Sequence, residues 1–293
     1  FSDILSRLII SKKYDEIEIY NIEHDLNVSN VFINNSDFNL ASKILINSIK
    51  NNENICILGD YDVDGSAATA MVVRFLNHIK HPHFYYIPDR EIDGYGASKK
   101  LFKKLILKKP KLVIMVDCGS TSSEAINFLN DKNIKSLIID HHEINTPFPK
   151  ANSIINPKKD NGYIKYDYFC ATALTYFFLE IVIKKIKSSF NISNFLIYVV
   201  LATICDVMPL RKINKIIARR TIDNFKIQNN SALNYIFEQY SLKKKLTVDD
   251  LGFLIGPIIN SGGRLNNSNY GVELLSTDNL EIIKDRSNKL IAL

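Results

Sequence analysis

The strongest constraint on the fold is a regular alternation of short apolar runs with amphipathic segments. Apolar runs rich in β-branched or aromatic residues lie at 54–59, 83–87, 112–116 and 136–139, and a short fifth lies at 153–156. Segments with helical spacing separate them, at 66–79, 101–109 and 122–130. Strands that helices cover on both faces are continuously apolar. The pattern therefore predicts an α/β fold with a doubly wound, mostly parallel sheet.

The second half of the sequence has a different pattern. Segments 171–186 and 193–207 are apolar with helical spacing, and 279–293 is typical of the start of a long helix. We therefore expect a mainly helical region after the sheet, ending in a linking helix. The expected parts are a helical lead-in over 1–50, an α/β domain over 51–210, and a helical extension and linker over 211–293.

Composition excludes several classes of protein. With 46% apolar and 23% charged residues, the 293-residue chain is typical of a globular protein and not of a disordered one. Its longest uncharged apolar stretch, Phe195–Cys205, is shorter than the roughly 20 residues that span a bilayer, so no membrane association is expected. The four cysteines form no CxxC pair, which predicts buried thiols in a reducing, cytoplasmic location. The net charge of +6 permits an anionic partner without requiring one.

Acidic and imidazole side chains follow four of the predicted strands. Because the carboxyl ends of parallel strands meet at one edge of a sheet, these side chains are expected to lie close together. A single Asp after a strand is ordinarily a helix N-cap, but several neighbouring acids repel one another unless cations compensate them. The residues are Asp60, Asp62 and Asp64, then Asp89 and Asp93, then Asp117, and finally Asp140, His141, His142 and Glu143.

Carboxylates with imidazole and no clustered thiolate suit Mn²⁺, Mg²⁺ or Zn²⁺. The number of ligands fits two ions, and a binuclear site can bind a phosphate oxygen and promote in-line displacement by water. Gly65 and Gly119 allow the backbone to approach such a site closely. His141 and His142 are adjacent, so one can bind metal while the other contacts substrate or acts in acid/base catalysis.

The motifs together resemble those of the DHH phosphoesterase superfamily. The order, the spacing and the DGYG element are most similar to the branch of RecJ single-strand-specific exonucleases. Asn260–Arg264 reads NSGGR where the branch usually has NAAGR, which is a mild departure. The matching segments are DYDVDG (60–65), IPDREIDGYG (87–96), MVDCGS (115–120), IIDHHE (138–143), ATICDVMPL (202–210) and PIINSGGRL (257–265).

The resemblance implies a role for each residue that matches a motif. The metal ligands are Asp62, Asp64, Asp117, His141 and Asp206, with Asp117 bridging the two ions. The catalytic group comprises Asp117, His142, which contacts the scissile phosphate, and Asp140, which orients the neighbouring imidazoles. The substrate-binding residues are Arg264, Ser120, Arg90, Tyr95 and Asn260. Asp206 enters this set only through the resemblance, because it lies far along the chain in a helical segment.

The resemblance also implies a function. It predicts a phosphodiesterase with two Mn²⁺ or Mg²⁺ ions that degrades single-stranded DNA 5′→3′ to mononucleotides in DNA repair and recombination. Single-stranded DNA is then the partner, and a single-strand-binding protein or a helicase is a possible protein partner. Family members carry a second domain and usually an OB-fold, so this chain is expected to be the catalytic part of such a protein.

Two other functions stay open from the sequence. One is a DHH phosphodiesterase that acts on short oligonucleotides or cyclic dinucleotides, and the other is a non-catalytic replication scaffold that has lost its metals.

Two basic clusters fit either a groove for the DNA backbone or solvated helix faces. Their members are Lys99, Lys100, Lys103 and Lys104 in the first, and Arg211, Lys212, Lys215, Arg219 and Arg220 in the second.

Overall fold

The computed structural model describes residues 2–24, 30–89, 93–94, 96–159, 164–264 and 267–293. Its centre is a sheet of five parallel strands in the order β2-β1-β3-β4-β5. The predicted α/β fold with a doubly wound parallel sheet is confirmed. The strands are β1 Ile55–Leu58, β2 His83–Tyr86, β3 Leu112–Val116, β4 Lys135–Ile139 and β5 Ser153–Ile155.

Helices make up most of the rest of the described chain. Those that precede or connect the strands are α1 Asp3–Ser11, α2 Glu16–Glu23, α3 Ser36–Lys50, α4 Val63–His78, α5 Lys99–Leu105 and α6 Ser123–Asp131. Those that follow the sheet are α7 Ala171–Ile186, α8 Leu196–Cys205, α9 Lys212–Asn224, α10 Ser231–Gln239, α11 Val248–Asp250, α12 Gly256–Ser261, α13 Tyr270–Leu275 and α14 Leu280–Ala292. A π-helical turn, Leu251–Ile255, joins α11 to α12.

The strand order creates a crevice at the carboxyl edge of the sheet. Leu58 at the end of β1 pairs with Tyr86 of β2 on one side and with Met115 of β3 on the other. The chain leaves β1 towards β2 and later returns on the opposite side as β3. In open α/β sheets, ligands bind where the connections diverge in this way. The loops after β1 and β3 therefore border the natural binding position of this fold.

Alternate residues of each strand enter two hydrophobic layers. Ile57 and Ile114 pack with α3, α4, α7 and α8 on one face, whereas Leu58 and Met115 pack with α5 and α6 on the other. This arrangement explains why the strands are continuously apolar. Leu274 and Leu290, from α13 and α14, belong to the same core as α4 and α7. The helices of the second half thus pack on the sheet layer, and the division at residues 50 and 210 stays a prediction.

One helix boundary differs from the sequence-based prediction in a way that matters for the site. The periodicity predicts a helix from residue 66, but α4 begins at Val63. Asp62 is its N-cap, and its Oδ1 accepts a hydrogen bond of 2.9 Å from the Gly65 N–H. The acidic motif after β1 therefore forms the first turn of a helix, a part of the motif that the apolar periodicity does not mark.

The packing buries three of the four cysteines. Cys56, Cys118 and Cys170 are buried free thiols, as expected. Cys205 is only partly buried, because it lies in the last turn of α8 next to the cluster of acids.

Within the residues that the structure describes, none of the helices combines the length and the apolar content needed to cross a bilayer.

The amino edge of the sheet contains a buried histidine whose ionisation opposes folding. His81 is 6% exposed, and its Nε2 donates a hydrogen bond of 2.8 Å to the Glu53 carbonyl oxygen. Burial lowers the pKa of His81 below its ordinary value of 6.5, and nearby His83 acts in the same direction, against the attraction of Glu53. A histidine with a lowered pKa binds its proton more readily in the unfolded chain.

The free energy of unfolding is therefore expected to fall as the pH drops below 6.5. Urea unfolding of the wild type and of His81→Gln, at pH 7.5 and pH 5.5, measures the contribution. Glutamine retains an N–H donor for the Glu53 carbonyl and does not titrate. The free energy of unfolding of His81→Gln should therefore fall less between pH 7.5 and pH 5.5 than that of the wild type. An equal loss in both proteins contradicts the assignment to His81.

Candidate metal centre

The loop after β1 presents three acids in a fixed arrangement. Asp62 caps α4, and the Asp60 carboxylate accepts a hydrogen bond of 2.7 Å from the Tyr61 N–H. Gly65 makes this turn possible. A Cβ at Gly65 would lie 2.5–2.7 Å from the backbone oxygen, nitrogen and carbonyl carbon of Asp60. The glycine of DYDVDG is thus required because the start of α4 lies directly against the loop that carries the acids.

Asp64 is held by a helix that lies more than 100 residues further along the chain. Its two carboxylate oxygens accept hydrogen bonds of 2.7 Å each from the Ala171 and Thr172 N–H groups, in the first turn of α7. The Thr172 hydroxyl also donates a 2.8 Å hydrogen bond to the Asp64 carbonyl oxygen. The N–H groups of a first helical turn lack partners within the helix and favour an anion. They orient Asp64, which is 1% exposed.

Asp117 follows β3 and lies at the centre of the cluster. Its side chain is 1% exposed, and neither carboxylate oxygen has a hydrogen-bond partner among the described residues. Burial raises the pKa of Asp117 well above its ordinary value, and the charges of Asp64 and Asp62 raise it further. Its backbone is left-handed, with φ at 59°. Such a buried, unsatisfied and repelled carboxylate needs a cation as its counter-charge.

The loop after β4 is organised by Asp140. Its oxygens accept hydrogen bonds from the Ser120 N–H at 3.0 Å, from the His141 N–H at 2.8 Å and from His142 Nδ1 at 2.8 Å. Burial alone would raise the pKa of Asp140, but the bonds from His142 and Ser120 outweigh it and lower the pKa to about 2. The hydrogen bond between His142 and Asp140 also raises the pKa of His142 to about 9. Asp140 thus holds the ring of His142 directly, whereas it contacts His141 through the backbone N–H.

Asn156, at the end of β5, is a positioning residue that the sequence analysis did not identify. Its Nδ2 donates hydrogen bonds to the Ser120 hydroxyl at 2.8 Å and to the His142 carbonyl oxygen at 2.9 Å. This side chain therefore ties the loop after β3 to the loop after β4. The only signal in the sequence was a polar residue at the end of the predicted fifth strand.

The atoms of these loops converge around His141. Its Nε2 lies 3.4 Å from an oxygen of Asp117, 3.4 Å from one of Asp206 and 3.6 Å from one of Asp64. Within the described part of the chain, this nitrogen is buried and has no hydrogen-bond partner. The distances are long for hydrogen bonds. They suit donors that share one cation, because ligands about 2.1 Å from an ion lie about 3 Å or more apart.

The cluster offers enough ligands for two such ions. Three groups have ligand atoms within 4.8 Å of one another, and Asp117 belongs to two of them. Asp206, the C-cap of α8, closes one group, and burial together with the charge of Asp64 raises its pKa to about 6. The groups are Asp64, His141 and Asp206; Asp60, Asp62 and Asp117; and Asp117, His141 and His142. These hard and borderline donors fit Mn²⁺ or Mg²⁺.

The predicted substrate-binding residues are placed less completely. Ser120 is buried and engaged by Asp140 and Asn156. The Asn260 side chain accepts a 3.0 Å hydrogen bond from the Val63 N–H, so it holds the first turn of α4. Arg90 and Tyr95 lie outside the described residues, and so does the side chain of Arg264.

The motif that contains Asn260 also contacts the acidic loop through a glycine. A Cβ at Gly263 would lie 1.6 Å from the Tyr61 ring, so that ring lies directly against the backbone of the SGGR segment. The contact places the first and last motifs side by side, although about 200 residues separate them in the chain.

A sequence model of the DHH family, N-terminal domain, matches residues 54–204. The chain belongs to the DHH family. Among curated relatives, it is 31% identical over 246 residues to the single-stranded-DNA-specific exonuclease RecJ of Haemophilus influenzae, covering 80% of this chain and 43% of the relative. It is 26% identical over 266 residues to that of Escherichia coli, covering 86% and 46%. The chain thus spans a little under half the length of these relatives.

Solved structures of DHH proteins show the same fold. A crystal structure of exonuclease RecJ bound to manganese matches with a TM-score of 0.79 at 21% identity, over 88% of this chain and 65% of the other. RecJ of Thermus thermophilus in complex with Mn²⁺ matches with a TM-score of 0.79 at 19% identity, over 94% of this chain and 41% of the other. At these identities the likeness establishes the architecture, and the individual residue roles stay predictions.

Thr172 offers a test of how the DHH fold positions its acids. Thr172→Val removes the hydroxyl that holds the Asp64 backbone, and we expect roughly 10-fold weaker Mn²⁺ binding, because residues that orient metal ligands typically have effects of that order. Isothermal titration calorimetry measures the affinity. The matched control is Thr175→Val, one turn along α7, because the Thr175 hydroxyl is buried without a partner among the described residues. Equal Mn²⁺ affinities in the two variants would contradict the positioning role.

Proposed function

We propose that this chain is the catalytic part of a metal-dependent phosphodiesterase that degrades single-stranded DNA. The observation that carries the proposal is the set of buried donor atoms without partners in the described part of the chain, the Asp117 carboxylate and His141 Nε2, at the crevice between β1 and β3. The names of the curated relatives, single-stranded-DNA-specific exonuclease RecJ, support the substrate. The 5′→3′ polarity, release of mononucleotides and role in repair and recombination belong to the same proposal.

The residues that would hold the metal divide between two positions. Asp64, His141 and Asp206 surround one, Asp62 with Asp60 borders the other, and Asp117 lies between them. Two Mn²⁺ or Mg²⁺ ions, when bound, supply the charge that acidifies an attacking water and stabilises the oxygens of the phosphate. The protein contributes rigid placement, because α4 and α7 fix Asp62 and Asp64 through backbone N–H groups.

In the proposal, His142 binds the scissile phosphate. Its Nδ1 is committed to Asp140, which leaves Nε2 for a ligand, and 44% of the side chain is exposed. His141 is buried beneath it among the metal-binding acids. The two adjacent histidines therefore have different roles in the proposal: His141 binds metal, whereas His142 donates to a phosphate oxygen and Asp140 holds its ring in position.

One residue of each basic cluster is held by an acid of the protein and is left out of the proposed path of the strand. Lys104 donates to Asp93 at 2.8 Å, and Arg211 pairs with Glu18, so these two side chains have structural partners. Ser120, Asn260, Arg90, Tyr95 and Arg264 are retained in the proposal as substrate-binding residues. A single-strand-binding protein or a helicase as partner, and a cytoplasmic location, also stay predictions.

Cleavage of labelled substrates tests the proposed function. With Mn²⁺ we expect mononucleotides from a 5′-phosphorylated single strand, little product from the corresponding duplex and no product in EDTA. Preferred cleavage of a dinucleotide or a cyclic dinucleotide would favour the other DHH phosphodiesterase activities. Absence of both cleavage and calorimetric Mn²⁺ binding would favour a non-catalytic scaffold.

A further inference from the structure

One aromatic side chain, on the helical segment that packs against α8, is exposed to solvent. Phe253 is 84% exposed, more than any other aromatic residue in the described part of the chain. It lies in the π-helical turn Leu251–Ile255, which interrupts the otherwise continuous helix from Val248 to Ser261. Turns of this kind are rare in helices and are frequent at functional sites. Packing in the hydrophobic core does not explain a phenylalanine at this position, because the ring lies outside the core.

The π-helical turn that carries Phe253 packs on the end of α8. The Leu251 carbonyl oxygen accepts from Cys205 Sγ at 3.6 Å, and a Cβ at Gly256 would lie 2.3 Å from that sulfur. Cys205 directly precedes Asp206. The turn therefore packs on the last turn of α8, at the end that carries the predicted metal ligand.

The same helix continues to the acidic loop. Asn260, which bonds to the Val63 N–H, is seven residues after Phe253. At 1.5 Å per residue, the two lie roughly 10 Å apart along the helix. The helical segment that carries Phe253 thus contacts the end of α8 on one side of this residue and the first turn of α4 on the other.

A second unusual residue lies on the other side of Asp206. Val207 is 86% exposed, and its φ of 54° is left-handed, a conformation that a β-branched residue rarely adopts. The strained conformation presents an apolar side chain to solvent immediately after a predicted metal ligand. Phe253 and Val207 are exposed apolar side chains on two segments that meet at the end of α8, and we call the pair the apolar rim.

The composition of the apolar rim favours a small planar ligand over a protein surface. Stable protein interfaces bury about 800 Å² on each partner around a packed apolar core. Here one ring and one isopropyl group protrude, and nearby Leu210 and Val248 are only 39% and 36% exposed. A single protruding ring next to a phosphodiester-cleaving site matches the way in which single-stranded nucleic acids are bound, by stacking a base on an aromatic side chain.

We propose that Phe253, together with Val207, is a stacking platform for a nucleobase of the single strand held at the metal centre. This inference rests on the proposed function and adds a determinant of substrate class. Every base offers a flat face, so the platform is independent of sequence. In a duplex the bases are already stacked and paired, so the platform contributes to the preference for single strands.

Equilibrium binding of a short fluorescent single strand tests the platform without requiring cleavage. In Ca²⁺, anisotropy is expected to show about tenfold weaker binding by Phe253→Ala than by the wild type. Phe253→Trp should retain the affinity because tryptophan also stacks. The matched control is Tyr240→Ala, which removes another exposed aromatic ring, at the end of α10. Since the Phe253 ring is largely outside the core, Phe253→Ala should melt at the wild-type temperature.

A strand of equal length in which every nucleotide is abasic distinguishes stacking from other contacts. The wild type and Phe253→Ala should bind it equally. Equal affinities for the normal strand would overturn the platform, and so would a tenfold loss that persists on the abasic strand. A wild type that binds the strand but does not cleave it in Mn²⁺ contradicts the proposed function alone, because the binding comparison still decides the role of Phe253.

Discussion

Asp117→Asn is expected to lower Mn²⁺-dependent cleavage of single-stranded DNA by roughly a thousandfold or more. The reason is that Asp117 is the acid common to two of the three ligand groups, and both of its oxygens lack partners among the described residues. Asparagine preserves the volume but removes the charge and one ligand oxygen, and charge stabilisation is the main contribution of such a site. Initial rates with a labelled strand, at saturating Mn²⁺, measure the effect.

The same variant separates metal binding from folding. Mn²⁺ is expected to raise the melting temperature of the wild type, because a ligand that binds only the folded state stabilises it. Asp117→Asn should lose most of this increase. Without metal it should be at least as stable as the wild type, because a repelled carboxylate has been removed from beside Asp64 and Asp62. Asp131→Asn, on an exposed part of α6, is the control.

A variant Asp117→Asn that keeps the full Mn²⁺-induced increase in melting temperature would show that this residue is not a metal ligand. A variant that is strongly destabilised without metal would show that the acid has a structural role instead. The two measurements together therefore distinguish a binding function of Asp117 from a folding one.

Gly65→Ala is expected to destabilise the chain by about 1–3 kcal/mol and to lower cleavage sharply. The added Cβ would lie 2.5–2.7 Å from backbone atoms of Asp60, which have no rotamer with which to avoid it. The first turn of α4 must then move away from the loop, and with it the Asp62 carboxylate that caps this turn. Urea unfolding and initial cleavage rates measure the two effects.

The control for Gly65→Ala uses the ordinary preference of helices for alanine over glycine. Alanine normally stabilises a helix relative to glycine by about 1 kcal/mol. At the exposed position Lys43, in the middle of α3, Lys43→Ala should therefore be more stable than Lys43→Gly. At position 65 the order should reverse, with glycine the more stable residue. Equal or greater stability of Gly65→Ala would show that the backbone of the loop accommodates the methyl group.

The sequence was sufficient for the sheet and for most of the acids. Runs such as 112–116 are apolar throughout because the strands are covered on both faces. Any sequence that forms a sheet covered in this way shows the same continuous apolar runs. Since parallel strands share one carboxyl edge, Asp62, Asp117 and His141 could be grouped from their positions alone, and the structure brings them together. The motif spacing also indicated the DHH family, which the family match confirms.

Three features of the site could not be read in this way. Asp206 is at the end of a helix, Thr172 is in the first turn of another, and the Asn260 side chain meets the start of α4 across about 200 residues. None follows a strand, and their local patterns are those of ordinary buried helices. They reach the acids only because α7, α8 and α12 pack on α4.

The sequence by itself therefore determined the strands, their parallel arrangement and the chemistry at their ends, because periodicity and residue type are local. Only the tertiary structure decided which backbone N–H groups hold Asp64, that Asn156 ties two loops together, and that Phe253 remains exposed on a turn that packs against α8. These facts depend on how helices pack across long stretches of chain. Helix packing is governed by the shapes of whole faces, and no short segment of sequence encodes it.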